Sequence, residues 1–295
     1  MPDLADLCYQ SALETVVPQL LGIVQSASDA SVSASPAGKS TQRSPPPPPV
    51  AITKAACFVL SQLVDKFSDE IESIVYPLLH SAFVPAKYAQ SNEPTIDVDP
   101  EALDPVISSA SELFRKLSFL SMILLHSPPS PNLLPFLLSP ILPSLFSLSS
   151  YLVETKADSL MLEEVVVILE TWGKAVPIAD AIRGMVKVVE VVEQGDEFGS
   201  LAGEETERVF YWARSEEGSI CIRERVGVPV GGSEDPLKLK LDPESVVRWL
   251  KEVARKDLSS GLFLRWLDEV QALRATDGFA AVKRSVLFSL VFSTV

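Results

Sequence analysis

The residues between Lys116 and Glu154 include no aspartate, glutamate, lysine or arginine, and this gap in charge limits what the chain can fold into. Within it, Leu133–Val153 is apolar and long enough to cross a bilayer. A membrane span is disfavoured because neither flank carries a basic cluster to set its orientation, and because the gap holds many prolines. The prolines are Pro128, Pro129, Pro131, Pro135, Pro140 and Pro143.

These prolines favour burial in a protein core over burial in lipid. Each break leaves backbone groups without their helical partners, and lipid offers no replacement, whereas neighbouring helices in a protein do. We therefore predict that 117–153 is a proline-broken, buried helical hairpin. The alternative is a membrane-associated trafficking or Golgi-organization protein anchored by 133–153.

Apolar residues recur at helical spacing along most of the chain, which predicts a mainly α-helical fold. The first predicted helices are one at 1–27 that ends near Ser26 with a kink at Pro18, one from Ala56 to Leu78 that breaks around Pro85, and one from Val106 to Ile123. Helices over 160–172 and 178–192 follow, joined by a short turn at Gly173–Pro177. Two helices with a tight turn are typical of HEAT and armadillo repeats, so we predict an α-solenoid over 51–197.

Two regions depart from helical periodicity. Residues 28–50 are rich in Ser, Ala and Pro and include five consecutive prolines, which predicts a disordered insert. The alternative for Pro45–Pro49 is a polyproline ligand of an SH3 or WW domain. Residues 198–242 contain regularly placed glycines and predict a small β-hairpin or meander inserted in the helical protein. Its candidate strands are Val209–Trp212, Ile220–Ile222 and Leu237–Leu241.

Residues 243–295 predict two further helices of the C-terminal repeats. Asp242 is a suitable N-cap, and Pro243 and Glu244 suit the first helical turn. The last helix runs through Phe263 to Leu273. The sequence then ends in an uncapped apolar run, from which we expect either that the natural protein continues or that this end is a gene-model artefact.

Charge and cysteine content limit the possible ligands and compartments. With 39 acidic against 25 basic residues, the net charge of −14 repels nucleic-acid phosphates and anionic lipids. The three cysteines, Cys8, Cys57 and Cys221, are far apart and form no CxxC pair, which argues against disulfides and zinc. The N-terminus lacks the basic residues of a leader peptide, so we expect the cytoplasm or the nucleus.

No pattern in the sequence indicates catalysis. His80 and His126 each end an apolar helical run, where the helix dipole favours a histidine, and no nucleophile with a matching acid can be assigned to them. The glycines of 227–232 lack the lysine and the spacing of a phosphate-binding loop. The acidic pairs are Glu163–Glu164, Glu204–Glu205 and Glu216–Glu217, and adjacent helical residues do not converge on a metal. We therefore assign no catalytic, cofactor-binding or metal-binding residue.

Basic residues form one cluster near the start of the C-terminal region. Arg248, Lys251, Arg255 and Lys256 are spaced to share one face of the penultimate helix. Such a cluster is usually the solvated side of an amphipathic helix. Binding of an acidic partner is the alternative.

Two segments resemble a known family: Leu138–Leu148, running on to Thr171–Lys174, and Phe263–Arg274. They are similar to the RNA polymerase II assembly and nuclear-import factors of fungi, related to the transport and Golgi organization protein six family of animals. The resemblance spans 133–273, about half of the chain. It implies a HEAT/armadillo-like solenoid of cytoplasm and nucleus, here an N-terminal part, that engages RNA polymerase II subunits, R2TP and prefoldin-like co-chaperones, and nucleoporins.

We therefore expect a non-catalytic scaffold that binds other proteins. Its expected role is the cytoplasmic assembly and nuclear import of RNA polymerase II. A co-chaperone that matures phosphatidylinositol-kinase-related kinases is an alternative within the same class. No direct binding of nucleic acid and no cofactor is expected.

Overall fold

The structure, a computed structural model, describes residues 4–33, 48–84, 105–128, 130–194, 208–215, 218–226, 243–276 and 285. The described chain is mainly α-helical, as the sequence predicts, and it also contains a three-stranded sheet. Its helices are α1 (Leu4–Ser33), α2 (Val50–His80), α3 (Ala110–His126), α4 (Leu133–Leu138), α5 (Leu142–Thr155), α6 (Ser159–Ala175), α7 (Ile178–Gln194), α8 (Pro243–Val253) and α9 (Lys256–Thr276). Its strands are β1 (Val106–Ser108), β2 (Arg208–Arg214) and β3 (Ile220–Val226).

Helices α1, α2 and α3 pack together at the N-terminal end of the molecule. Helix α1 continues through Pro18 to Ser33, so the prediction that it ends near Ser26 is wrong. The extra residues are mainly serine and alanine, which a helix accommodates, and Ser28 is fully buried. Of the predicted insert, residues 34–47 lie outside the described part of the chain.

Helix α2 is a single long element with a break near its middle. Phe67 has non-helical backbone angles (φ −138°, ψ 38°), which divide α2 into an N-terminal and a C-terminal half. On its covered side, buried residues such as Cys57, Leu60 and Val64 meet the core. Val59 and Leu78 share the predicted periodicity but are exposed, so α2 carries apolar residues beyond its buried face.

The charge-free region is buried in part, most completely over 141–150, and it does not form a hairpin. Residues 141–150, most of them in α5, are all buried. Helix α4 packs on α2 and α6, whereas α5 is surrounded by α6, α7 and α8. Because α5 is enclosed by other helices and by the sheet, a charged side chain over 142–150 would be buried at high cost. None of the described helices combines the length and the apolar character that a membrane span requires.

Helices α6 and α7 occupy the two predicted ranges and are joined through Val176 and Pro177. In a HEAT-type pair, consecutive helices stack along their length. Here α6 packs mainly on α3, α5 and α8, and α7 mainly on α5 and α9. They meet where the Trp172 ring lies over Gly184. The approach is so close that a Cβ at Gly184 would lie 2.8 Å from that ring. The solenoid therefore stays a prediction.

The sheet has the strand order β1-β3-β2 and is antiparallel throughout. Strands β2 and β3 confirm the predicted hairpin, and Phe210, Ile220 and Ile222 join the common hydrophobic core. The third strand is β1, which contains Val106, so the prediction of a helix at that residue is wrong. The predicted strand 237–241 lies outside the described residues.

Side chains of β2 attach the sheet to α5. The Trp212 indole donates to Ser147 Oγ at 3.0 Å, and the Arg214 guanidinium donates to the Thr155 carbonyl. The Tyr151 ring lies 6.5 Å from that of Trp212. The sheet therefore covers one side of the central helix and forms no second core.

Helix α8 begins at Pro243, as predicted, and joins α5 and α6 through an aromatic cluster. The Trp249 ring stacks on Trp172 at 5.6 Å and meets Phe146 edge-on at 5.5 Å. Its indole N–H donates to the Leu169 carbonyl at 2.8 Å. A Cβ at Gly173 would lie 2.7 Å from the Trp249 ring, so glycine is required for this close approach. Apart from Ser285, the apolar C-terminal run lies outside the described residues.

Candidate protein-interaction surface

Both histidines are the last residues of their helices, as the sequence predicts. His80 is fully buried, its ring lies 4.6 Å from that of Tyr76, and its Nε2 is 2.7 Å from the Leu137 carbonyl oxygen. Since a carbonyl only accepts, Nε2 carries the proton in this contact. His80 therefore joins the end of α2 to α4, away from solvent.

The cysteines that the structure describes are reduced and inaccessible. Cys57 and Cys221 are both buried free thiols. Burial raises the pKa of the Cys57 thiol to about 11, and a hydrogen bond with Ser127 offsets only part of this. A thiolate is therefore disfavoured at Cys57, which does not suit a nucleophile or a redox site. The side chain of Cys8 lies outside the described residues.

The acidic pair on α6 is divergent, as predicted. Glu164 accepts a hydrogen bond from the Ser121 hydroxyl at 2.6 Å, while Glu163 is exposed. The pairs 204–205 and 216–217 lie outside the described residues. Across the described ranges, no three His, Cys, Asp or Glu side chains are grouped so that they could hold a metal ion.

The basic cluster is divided by the turn between α8 and α9. Arg248, Lys251 and Lys256 are exposed, but Arg255 lies in the turn and not on the helix face predicted for it. Its guanidinium donates to the carbonyls of Gly173 at 3.0 Å and Val176 at 2.8 Å. These are carbonyls at the end of α6, which a helix leaves without internal partners. Arg255 therefore caps α6.

Arg255 also forms a salt bridge with a residue at the start of α9. It pairs with the Asp257 carboxylate at 2.9 Å, and hydrogen bonding from Arg255 is the main reason that the pKa of Asp257 is lowered. The sequence suggested one continuous basic face because Arg255 follows Lys251 by four residues. The end of α8 at Val253 breaks that spacing.

A shallow depression lies between α5, α6 and α8. It encloses about 310 Å³, including space open to solvent. Its lining residues are Phe146, Ser149, Val166, Leu169, Glu170, Ser245, Arg248, Trp249 and Glu252. The buried aromatic cluster fills most of the space between these helices, and the charged residues stand at the rim. The depression is small compared with a typical small-molecule pocket, given that part of this volume is solvent.

The N-terminal half of α2 carries an exposed apolar strip. It consists of Ala51, Ile52, Ala55, Phe58 and Val59, which we call the α2 stripe. Phe58 is 53% exposed, Ile52 47% and Val59 39%. Each of the other four residues lies three or four positions from Ala55, so the five share one side of the helix.

On the other side of this half-helix, residues such as Ala56, Cys57 and Leu60 are buried in the core, and α2 as a whole packs on α1, α3 and α4. A helix that is apolar on all sides is usually buried on all sides. Single exposed apolar residues are normal, whereas a contiguous exposed strip marks a contact surface. The α2 stripe is therefore a candidate contact surface.

The C-terminal half of α2 exposes acidic residues, whereas the exposed charged residues before the break are Lys54, Asp65 and Lys66. Asp69, Glu70 and Glu72, which we call the acidic segment, are all exposed and follow the break at Phe67. The Ser68 hydroxyl donates to Asp69 at 3.1 Å. Within the described parts of the chain, no lysine or arginine lies within salt-bridge distance of these three carboxylates.

Neither surface was identified from the sequence. The signal for the α2 stripe was present in residues 51–60, where apolar residues occupy both sides of the helix. Comparison of the chain with protein-family models, curated proteins and solved structures finds no match.

Proposed function

We propose that this protein is a non-catalytic helical scaffold that binds other proteins, with the α2 stripe as one of its contact surfaces. The exposure of the α2 stripe is the observation that carries the proposal. Burying a phenylalanine side chain such as Phe58 at an interface contributes about 1.5–3 kcal/mol before the costs of association. Aromatic residues that fill a partner's pocket commonly dominate binding energy.

The family resemblance makes the proposal more specific. On that basis the scaffold is a HEAT/armadillo-like array that takes part in the cytoplasmic assembly and nuclear import of RNA polymerase II. Its partners are then polymerase subunits, R2TP and prefoldin-like co-chaperones, and nucleoporins. The mainly helical fold supports this reading, since arrays of packed helices present long surfaces to protein partners.

Affinity purification of the tagged protein with quantitative mass spectrometry tests the proposal. The variants to compare are Phe58→Asp and, as a control, Val167→Asp on α6. Val167 is 50% exposed, close to the value for Phe58, and it does not belong to the α2 stripe. We expect polymerase subunits or co-chaperones with the unchanged protein and with Val167→Asp, and their loss with Phe58→Asp.

Different results contradict different parts of the proposal. If the partners are unaffected by Phe58→Asp, the α2 stripe is not the contact surface. If no polymerase subunit or co-chaperone is recovered, the role in polymerase assembly is wrong even if other proteins bind.

Carbonate extraction tests the membrane alternative for 133–153. The burial of residues 141–150 among other helices leaves little of this region for lipid, so we expect the protein in the soluble fraction. Retention in the membrane pellet would contradict the scaffold proposal in favour of the trafficking protein.

A further inference from the structure

Helix α2 presents two different exposed surfaces along its length, and this arrangement restricts the kind of partner that fits. The α2 stripe is apolar and lies before the break at Phe67, whereas the acidic segment lies after it. The inference below rests on the proposed function and concerns the partner of that same surface.

We infer that α2 binds a helix of another protein that is apolar along one half and basic along the other. The apolar half covers the α2 stripe, and lysine or arginine residues in the basic half pair with the acidic segment. This is the helix-in-groove mode of recognition, in which apolar positions supply affinity and charges supply register.

The dimensions of α2 match such a partner. At 1.5 Å per residue, the twenty steps from Ile52 to Glu72 correspond to about 30 Å of helix. A partner helix of roughly 20 residues has the same length. A shorter segment would reach the α2 stripe or the acidic segment, but not both.

The charges of the acidic segment favour a basic partner over a membrane or a nucleic acid. Asp69, Glu70 and Glu72 repel anionic lipid headgroups and phosphates, and the net charge of −14 adds to this repulsion. An apolar strip that approached a membrane would carry these carboxylates with it. A cationic helix, by contrast, gains from both halves of α2.

A second copy of α2 is a poor fit in either direction. Parallel pairing over the full length places one acidic segment against the other. Antiparallel pairing places each acidic segment against the α2 stripe of the other copy, where three carboxylates lose water and Lys54 is the one basic residue of 51–60 that they meet. A partner with its own basic residues avoids both costs.

Fluorescence anisotropy with synthetic peptides and the full-length chain tests the inference. The probe is a labelled 20-residue helical peptide with leucines on one side of one half and four lysines in the other half. A second peptide has the reversed order of halves, so that either orientation along α2 is sampled. A third replaces the lysines with glutamates. We expect at least one lysine peptide to bind and the glutamate peptide to bind at least tenfold more weakly.

Variants then assign the binding to the two halves of α2. Phe58→Asp and the combined change Asp69→Lys, Glu70→Lys, Glu72→Lys are each expected to weaken binding of the lysine peptide about tenfold or more, which corresponds to about 1.4 kcal/mol. The charge-reversed variant is expected to prefer the glutamate peptide. Val167→Asp should leave binding unchanged. Ala55→Asp serves as a second α2-stripe variant, and circular dichroism confirms that each variant is folded.

Several outcomes would overturn the inference. One is that no lysine peptide binds, and another is that binding ignores both sets of variants. Flotation with phosphatidylserine-containing vesicles that is lost in Phe58→Asp would assign the surface to a membrane. A dimer in sedimentation velocity that is lost in Phe58→Asp would assign it to a second copy. If no lysine peptide binds while Phe58→Asp still loses partners in the purification, the partner class is wrong and the scaffold proposal stands.

Discussion

Helix α5 and the N-terminal half of α2 both carry apolar residues on more than one side, but their surroundings differ. Helix α5 lies inside the molecule, where α6, α7, α8 and the sheet cover it from all sides. The N-terminal half of α2 has one side buried in the core and leaves the α2 stripe exposed on the other. An apolar composition thus favours burial of a helix. The position of the helix in the fold decides whether other parts of the same chain bury it.

The comparison predicts the largest loss of stability in the core around α5. Phe146 is 1% exposed and contacts Trp249, so Phe146→Ala leaves a cavity at the junction of α5 and α8. We expect a loss of about 3–5 kcal/mol in the free energy of unfolding, measured by urea denaturation. A loss below about 1 kcal/mol would contradict the assignment of α5 to the centre of the core.

The next largest effect is expected where a single side chain holds the helices around α5 together. Replacing Arg255 with methionine keeps much of its aliphatic stem but removes the donors to the Gly173 and Val176 carbonyls. We expect a loss of about 1–3 kcal/mol in the free energy of unfolding. Arg248→Met, at an exposed position on α8, is the control and should stay within about 0.5 kcal/mol of the unchanged protein.

The covered side of α2 is expected to respond to alkaline pH through Cys57. Its pKa is raised to about 11 in the folded state by burial, whereas an unfolded thiol titrates near 8.5. The unfolded thiol therefore loses its proton first, so the contribution of Cys57 to stability is complete below about pH 8.5 and is lost as the pH rises toward 11.

Comparison with Cys57→Ala separates this effect from other groups that titrate in the same range. Between pH 7 and pH 10 the unchanged protein should lose on the order of 1 kcal/mol more stability than Cys57→Ala does. Equal losses in the two proteins would mean that the α2 face carrying Cys57 is open to water.

The smallest effect is expected on the uncovered side of the same helix. Phe58→Ala should change the free energy of unfolding by no more than about 0.5 kcal/mol, because its side chain is already half in solvent. Val167→Ala on α6 is the matched control. A loss of 2 kcal/mol or more in Phe58→Ala alone would show that another part of the chain covers the α2 stripe, and would remove the distinction between α2 and α5.

The sequence predicted the features that depend on local spacing. Helices α6 and α7 and the start of α8 at Pro243 fall where periodicity and capping residues place them. The burial of residues 141–150 also followed from the absence of charge together with the density of prolines. In these cases the local sequence itself favours the observed helix or the observed burial.

Features that depend on distant parts of the chain were missed. Val106 belongs to a strand because β3 offers it hydrogen bonds, and three residues are too few for a local signal. Arg255 looked like a surface residue because its partners, Gly173 and Val176, lie about 80 positions earlier. The α2 stripe was missed because periodicity identifies apolar faces without showing which of them remains uncovered.

The pairing of β1 with β3 also has a consequence for the order of folding. Val106 lies opposite Arg223, so the sheet closes a ring of chain that contains α3 to α7. Closing so long a loop costs entropy that is recovered only when the enclosed helices are compact, whereas β2 and β3 can pair through their short connection alone. We therefore expect the β2–β3 hairpin to form early and β1 to join it late. Pairing of β1 with β3 would then mark the completion of the helical core.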